Sequence, residues 1–301
     1  MNARAYLLLL LTTLFWGGNA IAGKLAIGHI SPMVLTALRW GLACLVMLVI
    51  GWPRLKADWA AIRRQWLLLC VLGAIGFSLF NVALYQALTL TTAINVSIEQ
   101  AGIPMFIFLL NFLFFRLRAT GGQIIGLCLT LLGVGLTASH GELSRLLALD
   151  LNMGDALMLV AIVVYSSYTV ALCFKPDIHW QSLMIVLTGS AFLFSLPFVA
   201  AEFAAGAGIV PGLRGSAILL YVVVFPSLLA QVFYIRGVEL IGANRAGLFV
   251  NLVPIFGTLL SIVLLGEDLH PYHAIALALV FGGIALAEVS GRRANAASAG
   301  N

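Results

Sequence analysis

Charge is what this sequence has least of. Of 301 residues only 9% are Asp, Glu, Lys or Arg, against 62% hydrophobic, whereas soluble globular chains carry roughly 25% charged residues. Such a shortage excludes a soluble domain. It also excludes a nucleic-acid surface, because the basic residues behind the net charge of +5 are scattered over short loops and form no patch. Cysteine is scarce as well. Cys44, Cys70, Cys128 and Cys173 each sit in an apolar run without CxxC spacing, which argues for buried thiols and against a disulfide framework or a zinc site. Catalytic signatures are missing too. Ala22-Gly23-Lys24-Leu25 lacks the first Gly and the Ser/Thr of a phosphate loop, no HExxH occurs, and Phe80 replaces the glycine that would close a nucleophile elbow begun at Gly76-Phe77-Ser78. His270 and His273, beside Glu267 and Asp268, have metal-ligand chemistry but read more simply as a solvated loop. We therefore expect no enzyme, no metal and no cofactor.

What the chain does have is long apolar runs. A membrane helix takes about 20 such residues, and the runs, cut by Gly, Pro or charge, give ten spans. They lie near 4–27, 32–51, 65–88, 92–115, 119–139, 152–173, 180–203, 214–237, 243–265 and 271–290. Pro32 and Pro271 fall in first helical turns, where the missing N–H is harmless. Arg4, the run from Tyr6 to Phe15 and Ala20-Ile21-Ala22 also fit a signal peptide, but cleavage would delete the first span of the repeat described next, so the segment is kept as a helix. The longest connections, Leu143–Asn152 and Ala204–Gly215, are too short for a domain. With the N-terminus inside, inner loops and tails hold Arg4, Arg54, Lys56, Arg63, Arg64, Arg116, Arg118, Lys175, Arg236, Arg245, Arg292 and Arg293, and outer loops hold only Arg145 and Arg214. The positive-inside rule then places both termini in the cytoplasm. A bacterial inner membrane is the expected location.

An internal repeat appears at an offset near 150. The octet from Ile103-Pro104 to Leu110 aligns with that from Val253-Pro254 to Leu260, and Gly133 and Leu136 align with Gly283 and Leu286. At an offset of 149, Ser78 meets Ser227 and Tyr85 meets Tyr234. Five spans per half is an odd number, so the halves enter the membrane in opposite senses, the inverted repeat of many secondary transporters. The expected fold is an all-α integral membrane protein of ten transmembrane helices in two inverted five-helix repeats. Residues 1–140 make the first repeat, 150–292 the second, and 293–301 a flexible cytoplasmic tail.

Polar groups inside spans are costly and therefore informative. On the third span Ser78, Asn81 and Tyr85 share a helical face, answered on the eighth by Ser227, Gln231 and Tyr234. Trp16 and Asn19 on the first span, Tyr165 and Tyr168 on the sixth, Asn95 and Glu99 on the fourth, and Asn244 and Asn251 on the ninth complete the set. Together they suit the lining of a central passage for an amphipathic small molecule. Hydrogen-bonded glue between helices is the plain alternative. For Glu99 three roles stand open: a proton-coupling site, a counter-charge for a substrate ammonium group, or an ion pair with Lys24 or Arg39. Pro104 and Pro254 are expected to kink their helices as gating points or static bends. Gly122, Gly126, Thr130 and Gly133 form a small-residue face suited to close helix packing, with a dimer contact as the secondary use.

The chain resembles the drug/metabolite transporter superfamily with two EamA-type repeats. The resemblance is carried by Phe15-Trp16-Gly17-Gly18-Asn19, Arg39-Trp40, Pro104 and Pro254, and the glycines of the fifth and tenth spans (Gly126, Gly133, Gly135; Gly282, Gly283). The run Asn95-Val96-Ser97-Ile98-Glu99-Gln100-Ala101-Gly102-Ile103-Pro104 is similar to YddG-type exporters of aromatic amino acids. One departure stands out. Many EamA repeats carry a Glu after the fourth and ninth spans; Glu267 supplies the second, but Arg116-Leu117-Arg118 stands at the first. The resemblance implies a monomeric secondary transporter, with a homodimer as the alternative, whose partners are a small-molecule substrate and the bilayer. It would export aromatic and other amino acids by alternating access. Export of drugs or quaternary amines on the same fold, or a non-transport membrane subunit, are the competing readings.

Overall fold

The computed structural model describes residues 3–115, 120–142, 152–242, 246 and 249–299. Among them there is no strand. Ten helical spans follow in order: α1 (Ala3–Ala26), α2 (Pro32–Arg64), α3 (Trp66–Leu90), α4 (Ala93–Gln100 and Ile103–Phe115), α5 (Gly121–Ala138), α6 (Met153–Phe174), α7 (Trp180–Ala204), α8 (Leu213–Ile241), α9 (Val253–Leu265) and α10 (Pro271–Ala299). Nine of these are long and apolar enough to cross a membrane, and α9 is a shorter apolar helix. Arg116-Leu117-Arg118, Arg145, Asn244, Arg245 and most of the loop from Leu143 lie outside the described residues.

Packing shows how the halves relate. The helix α1 rests on α8 and α9, and α6 rests on α3 and α4. The helices α2 and α7 pair with each other, as do α5 and α10 and the two broken helices α4 and α9. Exchanging each helix with the one five places along maps this set of contacts onto itself, which is the signature of an internal two-fold axis. Because five is odd, the two halves are inverted. The same end of the bundle gathers the start of every even helix and the finish of every odd one. We call it the far end, opposite the chain termini.

Helix details refine the expected edges. The apolar run of α2 stops at Gly51, yet the helix continues through Pro53 to Arg64. In that extension Leu55 and Ile62, seven residues apart, bury themselves with Ile178 and Ile185, while Trp52, Trp59 and the basic residues stay outside. The extension is thus an amphipathic surface helix rather than more membrane span. At the other terminus α10 runs on to Ala299, beyond the boundary expected at residue 292. Neither Pro104 nor Pro254 kinks a continuous helix. Turns at Ala101-Gly102 and Asn251-Leu252 interrupt the spans, and each proline is the second residue of the helix that restarts. A proline there lacks only an N–H that has no intrahelical partner anyway.

Three spans also contain π-helical turns: Ala74–Leu79 in α3, Val223–Leu229 in α8 and Ser261–Leu265 in α9. The first two start 149 residues apart, the same offset that relates Ser78 to Ser227. Such turns release a backbone carbonyl from the helix ladder.

The small-residue face of α5 is used within the chain. Gly122 lies against Ser290, Gly126 against Gly283 and Ala287, and Gly133 against Ala276 and Val280. A Cβ on Gly126 would sit 2.4 Å from the carbonyl oxygen of Gly283, which no side-chain shift can relieve. Gly126→Val should lower stability by about 1–3 kcal/mol, the usual cost of overpacking. Gly282→Val, where a Cβ meets nothing within 4 Å, should leave the apparent Tm in detergent unchanged. Equal melting of the two variants would contradict this packing.

Candidate functional site

A single buried cation organises the middle of the bundle. Arg39, on the second turn of α2, is 5% exposed. Its Nε donates to Ser227 Oγ at 2.7 Å, and its Nη1 donates to Asn19 Oδ1 at 3.0 Å, Asn81 Oδ1 at 2.8 Å and the Tyr85 hydroxyl at 2.6 Å. The guanidinium carbon lies 4.5 Å above the ring of Trp40. Each acceptor is itself held. Asn81 Nδ2 donates to the Phe77 carbonyl, Ser227 Oγ to the Val222 carbonyl and the Tyr85 hydroxyl to Asn19 Oδ1. Four helices, α1, α2 and α3 from one half and α8 from the other, therefore meet on one side chain. Among the described residues no carboxylate lies within 4.0 Å of it. Burying an ion has an effective cost of several kcal/mol, which cation–π contact and neutral acceptors offset only in part. A cavity of about 150 Å³ borders this cluster on the far side, between Leu35, Gly23, Tyr85 and Thr89.

The π turns set the surroundings. In α3 the Phe77 carbonyl also accepts the Trp40 indole N–H at 3.0 Å, and in α8 the equivalent Pro226 carbonyl accepts that of Trp16 at 3.2 Å. Trp16 then meets the Tyr234 ring at 5.5 Å. A ladder of rings runs from α3 across α6 and back toward Arg39: Phe80 to Tyr165 at 4.8 Å, Tyr165 to Tyr168 at 5.6 Å, Tyr168 to Phe77 at 5.7 Å and Phe77 to Trp40 at 4.5 Å.

A second polar cluster lies at the far end, on the other side of α4. Asp155, in the first turn of α6 and 0% exposed, takes Thr91 Oγ1 and Asn95 Nδ2 as donors, and its Oδ2 lies 3.0 Å from His140 Nε2. Gly154 makes this reach available, since a Cβ there would sit 2.9 Å from the Ala87 carbonyl oxygen and the Thr91 amide. Asn95 Oδ1 lies 3.0 Å from His273 Nε2. The α3–α4 corner is capped from both sides. Lys24 donates to the carbonyls of Leu88 and Thr91 at 2.9 and 2.6 Å, and Glu267 accepts the amides of Ala93 and Ile94 at 2.8 and 2.9 Å. Charges of these signs suit a helix C-terminus and a helix N-terminus respectively.

The structure brings Asn19, Asn81, Tyr85 and Ser227 together around Arg39; Ser78, three residues before Asn81, is buried and without a partner. It brings Trp16 to Tyr234 and Tyr165 to Tyr168. Gln231 and Asn251 are half-buried apart from both polar clusters. Asn95 belongs to the far-end cluster, and Glu99, one helical turn on, is 0% exposed with both carboxylate oxygens unpartnered. The ion pair of Glu99 with Lys24 or Arg39 is thus a reading to correct, for Lys24 is engaged by backbone carbonyls and Arg39 by neutral side chains. The solvated-loop reading also needs dividing: His270 is exposed, but His273 is 1% exposed and bonded to Asn95. Sequence reasoning missed Asp155, whose only signal was an acid at the start of an apolar run. It also missed the centrality of Arg39, a lone cation inside another such run.

The EamA-like transporter family model matches residues 3–139 and 152–288, one match per half. The chain belongs to the EamA-like transporter family. An uncharacterized transporter of Archaeoglobus fulgidus is 29% identical over 95% of this chain and 98% of its own length. The uncharacterized transporters YetK and YyaM of Bacillus subtilis are 27% and 25% identical over 93% of this chain, covering 85% and 92% of their own lengths. A solved crystal structure, 20% identical with a TM-score of 0.63, covers 97% of this chain and 99% of its own, and shares the fold.

In this EamA chain Glu267 is placed as a helix cap. Glu267→Ala strips the acceptors from two amides of buried residues and should cost about 1–3 kcal/mol. Glu267→Gln, which keeps one acceptor, should lose less. Thermal unfolding of the purified variants checks the order; equal stability of all three proteins would rule the cap out.

Proposed function

We propose that this protein exports amino acids, aromatic ones preferentially, and related small metabolites across a bacterial inner membrane by alternating access. The observation that carries this reading is the ring ladder from Phe80 through Tyr165, Tyr168 and Phe77 to Trp40, ending on the Arg39 cluster. Flat apolar faces next to a rigid polar head suit a molecule with a ring at one end and a polar group at the other. The family membership supports transport, and the similarity of the Asn95–Pro104 run to aromatic amino-acid exporters supports this substrate class. Quaternary amines and other cationic drugs fit less well, because a buried guanidinium repels a cation. Trp16, Asn19, Ser78, Asn81, Tyr85, Tyr165, Tyr168, Ser227, Gln231, Tyr234 and Asn251 are proposed as lining, with Asn95 and Glu99 behind it at the far end.

Both termini are proposed to be cytoplasmic, from the distribution of Lys and Arg. On that orientation the far end faces outward. Ser31 with Glu202, Lys24 and Glu267 on the α3–α4 corner, and Asp155 with His140 tie helices together there, so the arrangement reads as one closed to the outside. The breaks before Pro104 and Pro254 are then the flexing points.

Labelled phenylalanine should enter proteoliposomes loaded with unlabelled phenylalanine well above empty vesicles, with threonine slower. An absence of flux over a panel of amino acids would overturn the reading. Glu99 offers a sharper probe. Its oxygens hold no partner, so Glu99→Gln should fold like wild type; if the carboxyl carries a proton during transport, flux in the variant should lose its dependence on a pH gradient. An unchanged pH profile would remove Glu99 from the mechanism.

A further inference from the structure

We propose that Arg39 is the receptor for a carboxylate on the transported molecule, so that the preferred cargo is an organic acid or zwitterion with a flat apolar body. The proposal rests on the transport reading above and adds the chemistry of the substrate's polar end.

Three features carry it. The first is unused bonding capacity. Arg39 Nε serves Ser227, and Nη1 is crowded by three acceptors, Asn19, Asn81 and Tyr85. Nη2, with two N–H groups of its own, has no acceptor among the described residues. A guanidinium placed only to join helices would spread three acceptors over both terminal nitrogens; here they converge on one and leave the other bare. The second feature is charge. Guanidinium is permanently cationic, and buried ions are ordinarily paired with an opposite charge. None is present within 4.0 Å among the described residues, so an arriving anion would complete the site. The third is Ser78. Its hydroxyl is 0% exposed and unpartnered, three residues before Asn81 and seven before Tyr85, hence on the face of α3 that addresses Arg39. It is a second donor, available for the other carboxylate oxygen.

The cradle is also fixed in advance. Asn81, Tyr85 and Ser227 are each pinned by a hydrogen bond of their own, and Trp40 lies flat against the guanidinium. Little reorganisation is needed when a carboxylate binds. The second repeat has no equivalent: at offsets of 148 to 150 the counterpart of Arg39 is Leu187, Thr188 or Gly189. The anion site is therefore single and off the two-fold axis.

Matched ligands test this on the purified full-length protein. L-phenylalanine and 3-phenylpropionate, which carry the carboxylate, should raise the thermal transition, and phenylalaninamide and phenethylamine, which lack it, should not. Ser78→Ala keeps all four acceptors of Arg39 and should weaken 3-phenylpropionate by about tenfold, the loss expected for one charge-assisted hydrogen bond. Arg39→Gln should abolish the difference between acid and amine. Should that variant fail to fold, the wild-type ligand series and Ser78→Ala decide the matter. Stabilisation by 3-phenylpropionate that depends on Ser78, with no amino-acid flux in vesicles, would sink amino-acid export and keep the carboxylate site. Phenylalanine flux that phenylalaninamide competes for as well as phenylalanine itself would sink the carboxylate site and keep the transporter.

Discussion

A permanently charged guanidinium buried without a carboxylate is the constraint on which the centre of this protein depends. Arg39 requires acceptors, and it takes them from three different neighbouring helices. That requirement explains why Asn19, Asn81 and Tyr85 occupy positions that lipid-embedded helices otherwise fill with apolar residues. It also gives the π turn of α8 a purpose, because Ser227 reaches Arg39 from within that turn while its hydroxyl proton is taken by the Val222 carbonyl. Stability alone is a weak reason for such an arrangement. Buried ionic groups can often be replaced by apolar ones of similar volume without loss, and in a bundle this well packed a methionine with four apolar neighbours would hold the helices together as well. On the proposed reading the charge is explained by the carboxylate it would receive.

Duplication supplied the frame, and the departures from it supply the chemistry. The π turns of α3 and α8, the interruptions before Pro104 and Pro254, and the exchange of helix contacts all obey the two-fold relation. The side chains that obey it do not play equal parts. Tyr85 is buried against Arg39, but its repeat mate Tyr234 is half-buried against the Trp16 ring. Ser227 holds Arg39 Nε, but its mate Ser78 holds nothing. One unpaired cation on one side of the axis is enough to make the two walls unlike.

The fold was largely legible in the amino-acid sequence because membrane helices announce themselves by length and hydropathy, and the inverted repeat by its proline-centred octets. What stayed hidden has physical causes. A turn of π-helix has no compositional signal, so the carbonyls of Phe77 and Pro226 could not be foreseen as acceptors for Trp40 and Trp16. The prolines at 104 and 254 mark real discontinuities, yet whether a proline bends a helix or begins one depends on the two residues before it. Leu55 and Ile62 were hard to see as the buried stripe of a surface extension, since Pro53 and Arg54 look like a stop. Among site residues, spacing along one helix put Asn81 and Tyr85 on a shared face, and both meet Arg39. It said nothing about which side chain from a neighbouring helix would fill that face, and Arg39 did. Asp155 on α6, His140 in the turn after α5 and His273 on α10 meet only in three dimensions.

The two polar clusters are joined through the last turns of α3 and its corner with α4, a route that on the proposed reading links substrate and gate. Tyr85 sits in the last turns of α3, bonded to the central guanidinium; Thr91, six residues on, gives its carbonyl to Lys24 and its hydroxyl to Asp155. Opening the far end, as alternating access demands on the proposed reading, requires the corner to leave Lys24, Glu267 and Asp155. The helical segment between Tyr85 and the corner is continuous. An anion on Arg39 would reduce its demand on the Tyr85 hydroxyl and loosen α3 from α2, close to the corner. On the proposed reading of export, filling the site would then favour release of the far end.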